Sequence, residues 1–213
     1  MQGVGFRPFI YRIATAYRLS GFVQNTPDGV VAEVEGSASA IENFINNVRT
    51  KLPPLAAIAD WSQEAISPSG DTGFRILASD TEGHGDVHIT PDSATCPDCQ
   101  RELFNPADRR YRYPFINCTN CGPRLTIISD IPYDRKNTSM ACFPMCPQCL
   151  KEYEGPADRR FHAEPNACPV CGPKLQFLTA DGKPVRDADP LSQAVSALRF
   201  GCIVAVKGLG GFH

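Results

Sequence analysis

The chain has 213 residues, 42% hydrophobic and 21% charged, with a formal net charge of −2. That balance belongs to a globular protein longer than one typical domain. With no run of Lys or Arg and no apolar stretch approaching the roughly 20 residues of a bilayer span, composition supports neither nucleic-acid nor membrane binding.

Residues 1–79 contain no cysteine. Phe9, Ile10, Ile13, Ala14, Tyr17 and Leu19 follow helical spacing after Pro8, a residue well tolerated in a first helical turn. Gly21–Asn25 and Val30–Val34 read as strands, and Asp28-Gly29 between them is a hairpin signal. Ser37 or Ser39 can cap a second helix carrying Ile41, Phe44, Ile45 and Val48, which stops before Pro53-Pro54. Further strands are expected near Ala56–Ser67 and Phe74–Ala78. The order is α-β-β-α-β-β, an α+β sandwich with two helices on one face of a sheet. Residues 80–93 read as a linker, interrupted by Gly83 and Gly85.

Residues 94–175 are duplicated. Cys96-Pro97-Asp98-Cys99-Gln100-Arg101-Glu102 aligns with Cys146-Pro147-Gln148-Cys149-Leu150-Lys151-Glu152 at an offset of 50. The same offset aligns Pro106–Arg110 with Pro156–Arg160 and Cys118–Pro123 with Cys168–Pro173. Ten cysteines, eight of them in Cys-x-x-Cys pairs, point to metal rather than disulfides and to an intracellular, cytoplasmic chain with no visible signal peptide. Zinc prefers four thiolates in a tetrahedron, and each repeat supplies two such turns. The expected sites are Cys96, Cys99, Cys118 and Cys121, then Cys146, Cys149, Cys168 and Cys171. A nested pairing, with Cys96 and Cys99 sharing an ion with Cys168 and Cys171, is the alternative. Rubredoxin-like iron fits the same ligands, and four disulfides fit them poorly. Closed four-thiolate sites read as two structural zinc ions, not catalysts. Arg101, Arg109, Arg110, Arg124, Arg159, Arg160 and Lys174 can offset their negative charge. Cys142 reads as an ordinary thiol and Cys202 as a core residue of a strand.

The last zone, 187–213, reads as a helix through Leu191, Ala194, Val195, Leu198 and Phe200, a stop at Gly201, an apolar strand Cys202–Val206, and a glycine loop, Lys207–His213. These elements cannot bury a core alone, so they open a domain continued outside the chain.

The candidate chemistry lies at the start. Gly3-Val4-Gly5-Phe6-Arg7 is a glycine-rich turn at a helix N-terminus, where backbone N–H groups and the helix dipole favour an anion. Arg7 adds a planar charged fork matched to phosphate. Asn25, on the next strand, could orient a water toward that anion. On residue types alone, a structural turn with a surface arginine is the competing reading.

Gln2-Gly3-Val4-Gly5-Phe6-Arg7 through Asn25, Asp28-Gly29-Val30 and Glu35-Gly36 resembles the acylphosphatase signature. Arg-Pro-Phe directly after Gly-Phe, followed by paired four-cysteine modules and the Lys207–His213 segment, is similar to the HypF carbamoyltransferase family. The resemblance implies a ferredoxin-like acylphosphatase sandwich, tandem zinc-finger-like modules, and the truncated start of an α/β YrdC-like domain. It implies that Arg7 binds phosphate and Asn25 orients the attacking water. It further implies that carbamoyl phosphate is cleaved here, that the carbamate reacts with ATP at the YrdC-like domain, and that the carbamoyl group passes to the C-terminal cysteine of HypE. Family members begin with a strand before the glycine turn, in the middle of the sheet, whereas only Met1 precedes Gln2 here. The chain therefore reads as a fragment without its first strand, unable to perform ATP-dependent carbamoylation and of doubtful phosphatase activity. A stand-alone acylphosphatase with a zinc adaptor and a zinc-ribbon interaction module are the other function classes.

Overall fold

A computed structural model of the chain describes residues 3–26, 28–80, 89–186, 188–208 and 211–213. Gln2, Gly83, Gly85 and Asp187, all cited above, lie outside the described residues, as does part of the Lys207–His213 loop.

Helix α1 spans Phe6–Ala16, beginning two residues before the Pro8 expected from pattern. Gly5 caps it in the left-handed region, so the first turn can close on the Gly5 carbonyl, which accepts from Phe9 N at 3.1 Å. Strands β1 (Ser20–Thr26) and β2 (Gly29–Glu35) pair antiparallel, with Thr26 opposite Gly29. Gly29 thus belongs to the ladder, opposite Thr26. Helix α2 (Ala38–Thr50) is capped by Ser37, whose hydroxyl accepts from Ala40 N at 3.3 Å. Strand β3 (Phe74–Ile76) lies parallel to β1, giving the order β2-β1-β3.

Phe9, Ile10 and Ala14 of α1, Phe44 and Val48 of α2, and Leu19, Val23 and Phe74 of the sheet side form one core. Each fully buried large apolar side chain contributes on the order of 2 kcal/mol. Asn47 donates to the Tyr17 hydroxyl at 2.8 Å and joins the two helices.

The strand expected over residues 56–67 does not form. A strand needs a neighbour for its backbone groups, and this segment runs largely exposed, without a ladder partner among the described residues.

The duplicated region folds as two similar modules. Helices α3 (Pro97–Phe104) and α4 (Pro147–Glu154) each start with proline at the first helical position, directly after Cys96 and Cys146. Two short 3-10 turns, Arg135–Asn137 and Ser139–Cys142, connect the modules. Their shared core gathers Tyr113, Ile116, Ile127, Tyr133 and Met140 around the first cysteine cluster. Residues 89–93, expected as linker, are fastened to the first module: Ser93 and Gly122 exchange backbone hydrogen bonds at 3.0 Å, and Thr90 is buried.

Helix α5 (Pro190–Arg199) forms as expected, and Gly201 follows its end in the left-handed region. The strand expected over Cys202–Val206 does not form, and Cys202 is exposed rather than core. The reason is plain from its neighbours: Ile203 and Phe200 stand in solvent, so no apolar layer covers the segment.

Candidate functional site

Each repeat closes on itself. In the first, the thiols of Cys96, Cys99, Cys118 and Cys121 all lie within 4.8 Å of one another, and in the second so do Cys146, Cys149, Cys168 and Cys171. The shorter Sγ–Sγ edges measure 3.5 Å for Cys99–Cys121, 3.7 Å for Cys96–Cys118 and 3.8 Å for Cys118–Cys121, and 3.6 to 3.8 Å in the second cluster. A tetrahedron of sulfurs at a zinc–sulfur distance of 2.3 Å has edges of about 3.8 Å. The donor set and its dimensions fit zinc, and the geometry groups the ligands within repeats rather than nesting them.

The modules clasp each other through charge. Arg109 of the first donates to Glu152 of the second at 2.6 Å and to the Cys149 sulfur at 3.1 Å. Arg110 reaches Glu152 at 2.5 Å and the Ala167 carbonyl at 2.8 Å. Fifty residues on, Arg159 reaches Glu102 at 2.7 Å and the Cys99 sulfur at 3.2 Å, and Arg160 reaches Glu102 at 2.5 Å and the Asn117 carbonyl at 3.0 Å. Burial alone would raise the Glu152 carboxyl, but Arg110 and Arg109 outweigh it and hold it at about 2. Arg109, Arg110 and Arg159 thus reach cluster sulfurs, Arg110 at 3.6 Å from Cys149, while Arg160 pairs with Glu102. Arg101 instead pairs with Asp98 at the surface, and Cys142 is exposed, donating to the Ser139 carbonyl at 3.1 Å.

The glycine turn, Arg7 and Asn25 come together in one cleft, roofed by the cysteine modules. Its walls are Gly3–Pro8, Asn25 and Val30 from the first unit and Thr119, Arg124, Tyr133 and His162–Pro165 from the second. Gly3 and Gly5 both adopt left-handed backbone, at φ 82° and 71°. A Cβ on Gly3 would stand 3.0 Å from Arg124 Cδ, and one on Gly5 3.3 Å from Thr119 Cβ. Buried Arg124 clamps the turn: its Nε donates to the Gly3 carbonyl at 2.6 Å, and its Nη atoms to the Cys118, Thr119, Cys121 and Pro123 carbonyls. One arginine thus ties the glycine turn to the first cysteine cluster.

Arg7 is not a surface residue. Its side chain is only 10% exposed, and Nη2 lies 2.9 Å from Asp134 Oδ1 and 3.4 Å from Glu164 Oε1, while Nη1 donates to the Ser79 hydroxyl at 3.1 Å. Asn25 is 5% exposed on β1. Glu164 Oε2 accepts from the Tyr153 hydroxyl at 2.9 Å and from Arg135 N at 2.8 Å. Burial pushes the Glu164 carboxyl up to about 7, against the pull of Arg7 and those two donors. Burial, reinforced by Arg7, pushes His162 down to about 4, so its ring is neutral at physiological pH.

Asp134, His162 and Glu164 escaped the sequence reading. The available signal was where the repeats diverge: His162 and Glu164 align with Arg112 and Pro114, while Arg112 and His162 share left-handed backbone at φ 56° and 52°.

The acylphosphatase family model matches residues 1–76, and the HypF finger model matches residues 95–128 and 145–178. Over all of the chain, carbamoyltransferase HypF2 of Cupriavidus necator is 55% identical and carbamoyltransferase HypF of Synechocystis 51% identical. The chain belongs to the HypF carbamoyltransferase family. It spans 27% and 28% of the length of those two relatives. An acylphosphatase of Thermotoga petrophila is 40% identical over 77 residues, which is 36% of this chain and 84% of that protein. The crystal structure of a full-length HypF in its phosphate- and nucleotide-bound form superposes on the whole chain with a TM-score of 0.92 at 48% identity, the chain covering 28% of it. Finger modules and acylphosphatase unit therefore keep the HypF arrangement, which favours this family over a stand-alone acylphosphatase or a zinc-ribbon module. No helix among the described residues is long and apolar enough to cross a membrane.

Proposed function

We propose that the cleft around Arg7 cleaves carbamoyl phosphate, as the first step of a cytoplasmic HypF carbamoyltransferase. The observation that carries this reading is the convergence of a left-handed glycine turn, a buried arginine fork and a buried Asn25 on one cleft. The related full-length HypF was crystallised in a phosphate- and nucleotide-bound form, so phosphate binding is compatible with this family. Phosphoryl oxygens would sit among the backbone N–H groups of Gly3–Phe6, with Arg7 as a bidentate partner. Asn25 would hold the attacking water. The water attacks the phosphorus held there and the bridging P–O bond breaks: carbamate leaves with the bridging oxygen, the water's oxygen becomes part of inorganic phosphate, and its proton passes to the departing anions. Catalysis rests on positioning and charge stabilisation by preorganised donors. The two cysteine clusters would hold one zinc ion each. Zinc there supplies folding energy and fixed geometry, and closed thiolate sites leave no position for substrate.

The carbamate would then meet ATP in a YrdC-like domain opened by residues 187–213, and the carbamoyl group would pass to the C-terminal cysteine of HypE. Residues 1–79 and 94–175 would be the acylphosphatase and finger domains.

The test is hydrolysis of carbamoyl phosphate by the complete protein. Arg7→Ala should lose transition-state stabilisation on the order of 3 kcal/mol or more. Arg7→Lys should recover little, because an ammonium cannot reproduce the fork. Asn25→Ala should lower kcat with KM nearly unchanged. Wild-type hydrolysis by Arg7→Ala would overturn the assignment.

A further inference from the structure

A site built only for phosphate has no use for a buried carboxylate, because two anions in a poorly solvated cleft repel each other. Glu164 nevertheless stands in the wall of the Arg7 cleft, 3% exposed. Tethering Arg7 does not explain it. Asp134 holds the guanidinium at 2.9 Å, while Glu164 Oε1 keeps 3.4 Å, a long and weak contact. Glu164 is anchored at its other oxygen, where the Tyr153 hydroxyl and the Arg135 amide both donate to Oε2. That leaves Oε1 oriented with acceptor capacity to spare.

A carboxylate beside a phosphate cradle suits a substrate that carries a hydrogen-bond donor next to its phosphate. Among simple acyl phosphates, the carbamoyl compound has an amino group where acetyl phosphate has a methyl. We propose that Glu164 is a specificity-determining residue, accepting a hydrogen bond from the carbamoyl amino group through Oε1; this rests on the acyl phosphate reading of the cleft. The second cysteine module thereby contributes substrate recognition to a site whose phosphate cradle lies in the first unit. A site that hydrogen-bonds a substrate N–H rejects the analogue lacking it, because the buried acceptor is left unpaired.

Glu164→Gln tests it sharply. The two donors at Oε2 require an oxygen there, so the amide nitrogen of the glutamine takes the Oε1 position and presents a donor to a donor. In the complete protein, the ratio of kcat/KM for carbamoyl phosphate over acetyl phosphate should fall at least about tenfold, mostly through KM, while acetyl phosphate hydrolysis persists and shows that the variant is folded. Tyr153→Phe, which removes one anchor, should lower the ratio less and in the same direction. Equal losses on both substrates in both variants, or an unchanged ratio, would overturn the proposal and leave the Arg7 reading standing. Hydrolysis of both substrates that is insensitive to Arg7→Ala would remove the Arg7 reading and this one with it.

Discussion

Glu164 and Arg7 show how one residue's chemistry depends on partners far along the chain. Glu164 faces Arg7, Asp134, Tyr153, Arg135 and the neutral His162, and burial lifts its carboxyl to about 7. Above the ordinary range of 4 to 5 the native state holds a proton that the unfolded chain has released, so stability falls as pH rises toward 7. The penalty is absent below about 4.5 and complete above about 7. In full it is on the order of 3 kcal/mol. Glu164→Gln lacks this titration, so its melting temperature relative to the parent should climb between pH 5 and pH 8. Parallel melting curves across that range would show that Glu164 keeps an ordinary carboxyl. The catalytic candidates were readable from sequence because the glycine turn, Arg7 and Asn25 form a local pattern. Asp134 and Glu164 lie 127 and 157 residues from Arg7, where no local pattern reaches.

At the scale of elements, the duplicated modules were the most legible part, since metal ligands impose spacing directly. Cys-x-x-Cys, the helix-starting proline and the offset of 50 all survive as structure. What spacing could not reveal is the exchange of arginines, in which each module supplies donors to the other's Cys99 or Cys149 sulfur. Such outer contacts typically change metal affinity 10–100-fold. Arg109→Ala should therefore retain two zinc ions per chain but release that of the second cluster to a chelator faster, by roughly tenfold or more. Replacing Cys118 and Cys121 with serine should remove one zinc and leave one, measured by elemental analysis of the folded protein. Loss of both ions in parallel from a variant that stays folded would contradict independent closure. Segments 56–67 and 202–206 mark the opposite limit: a strand exists only with a neighbour, and neighbours are a property of the fold.

In the whole molecule, the first unit and the modules meet at the cleft. Arg124 grips the Gly3 carbonyl and the carbonyls around the first cysteine cluster at once, and Tyr11 packs edge-on against Phe161 with ring centroids 5.2 Å apart. The glycine turn and the Glu164 wall of the cleft come from different units, so metal loss in the modules should loosen the proposed catalytic cleft. The proposed route passes carbamate released at Arg7 on to transfer to HypE. It is tested most directly by supplying the complete, zinc-loaded protein with labelled carbamoyl phosphate, ATP and HypE, and counting label on the HypE C-terminal cysteine. The account predicts strong labelling by the parent protein and almost none by Arg7→Ala at equal zinc content. Undiminished labelling by Arg7→Ala would contradict it.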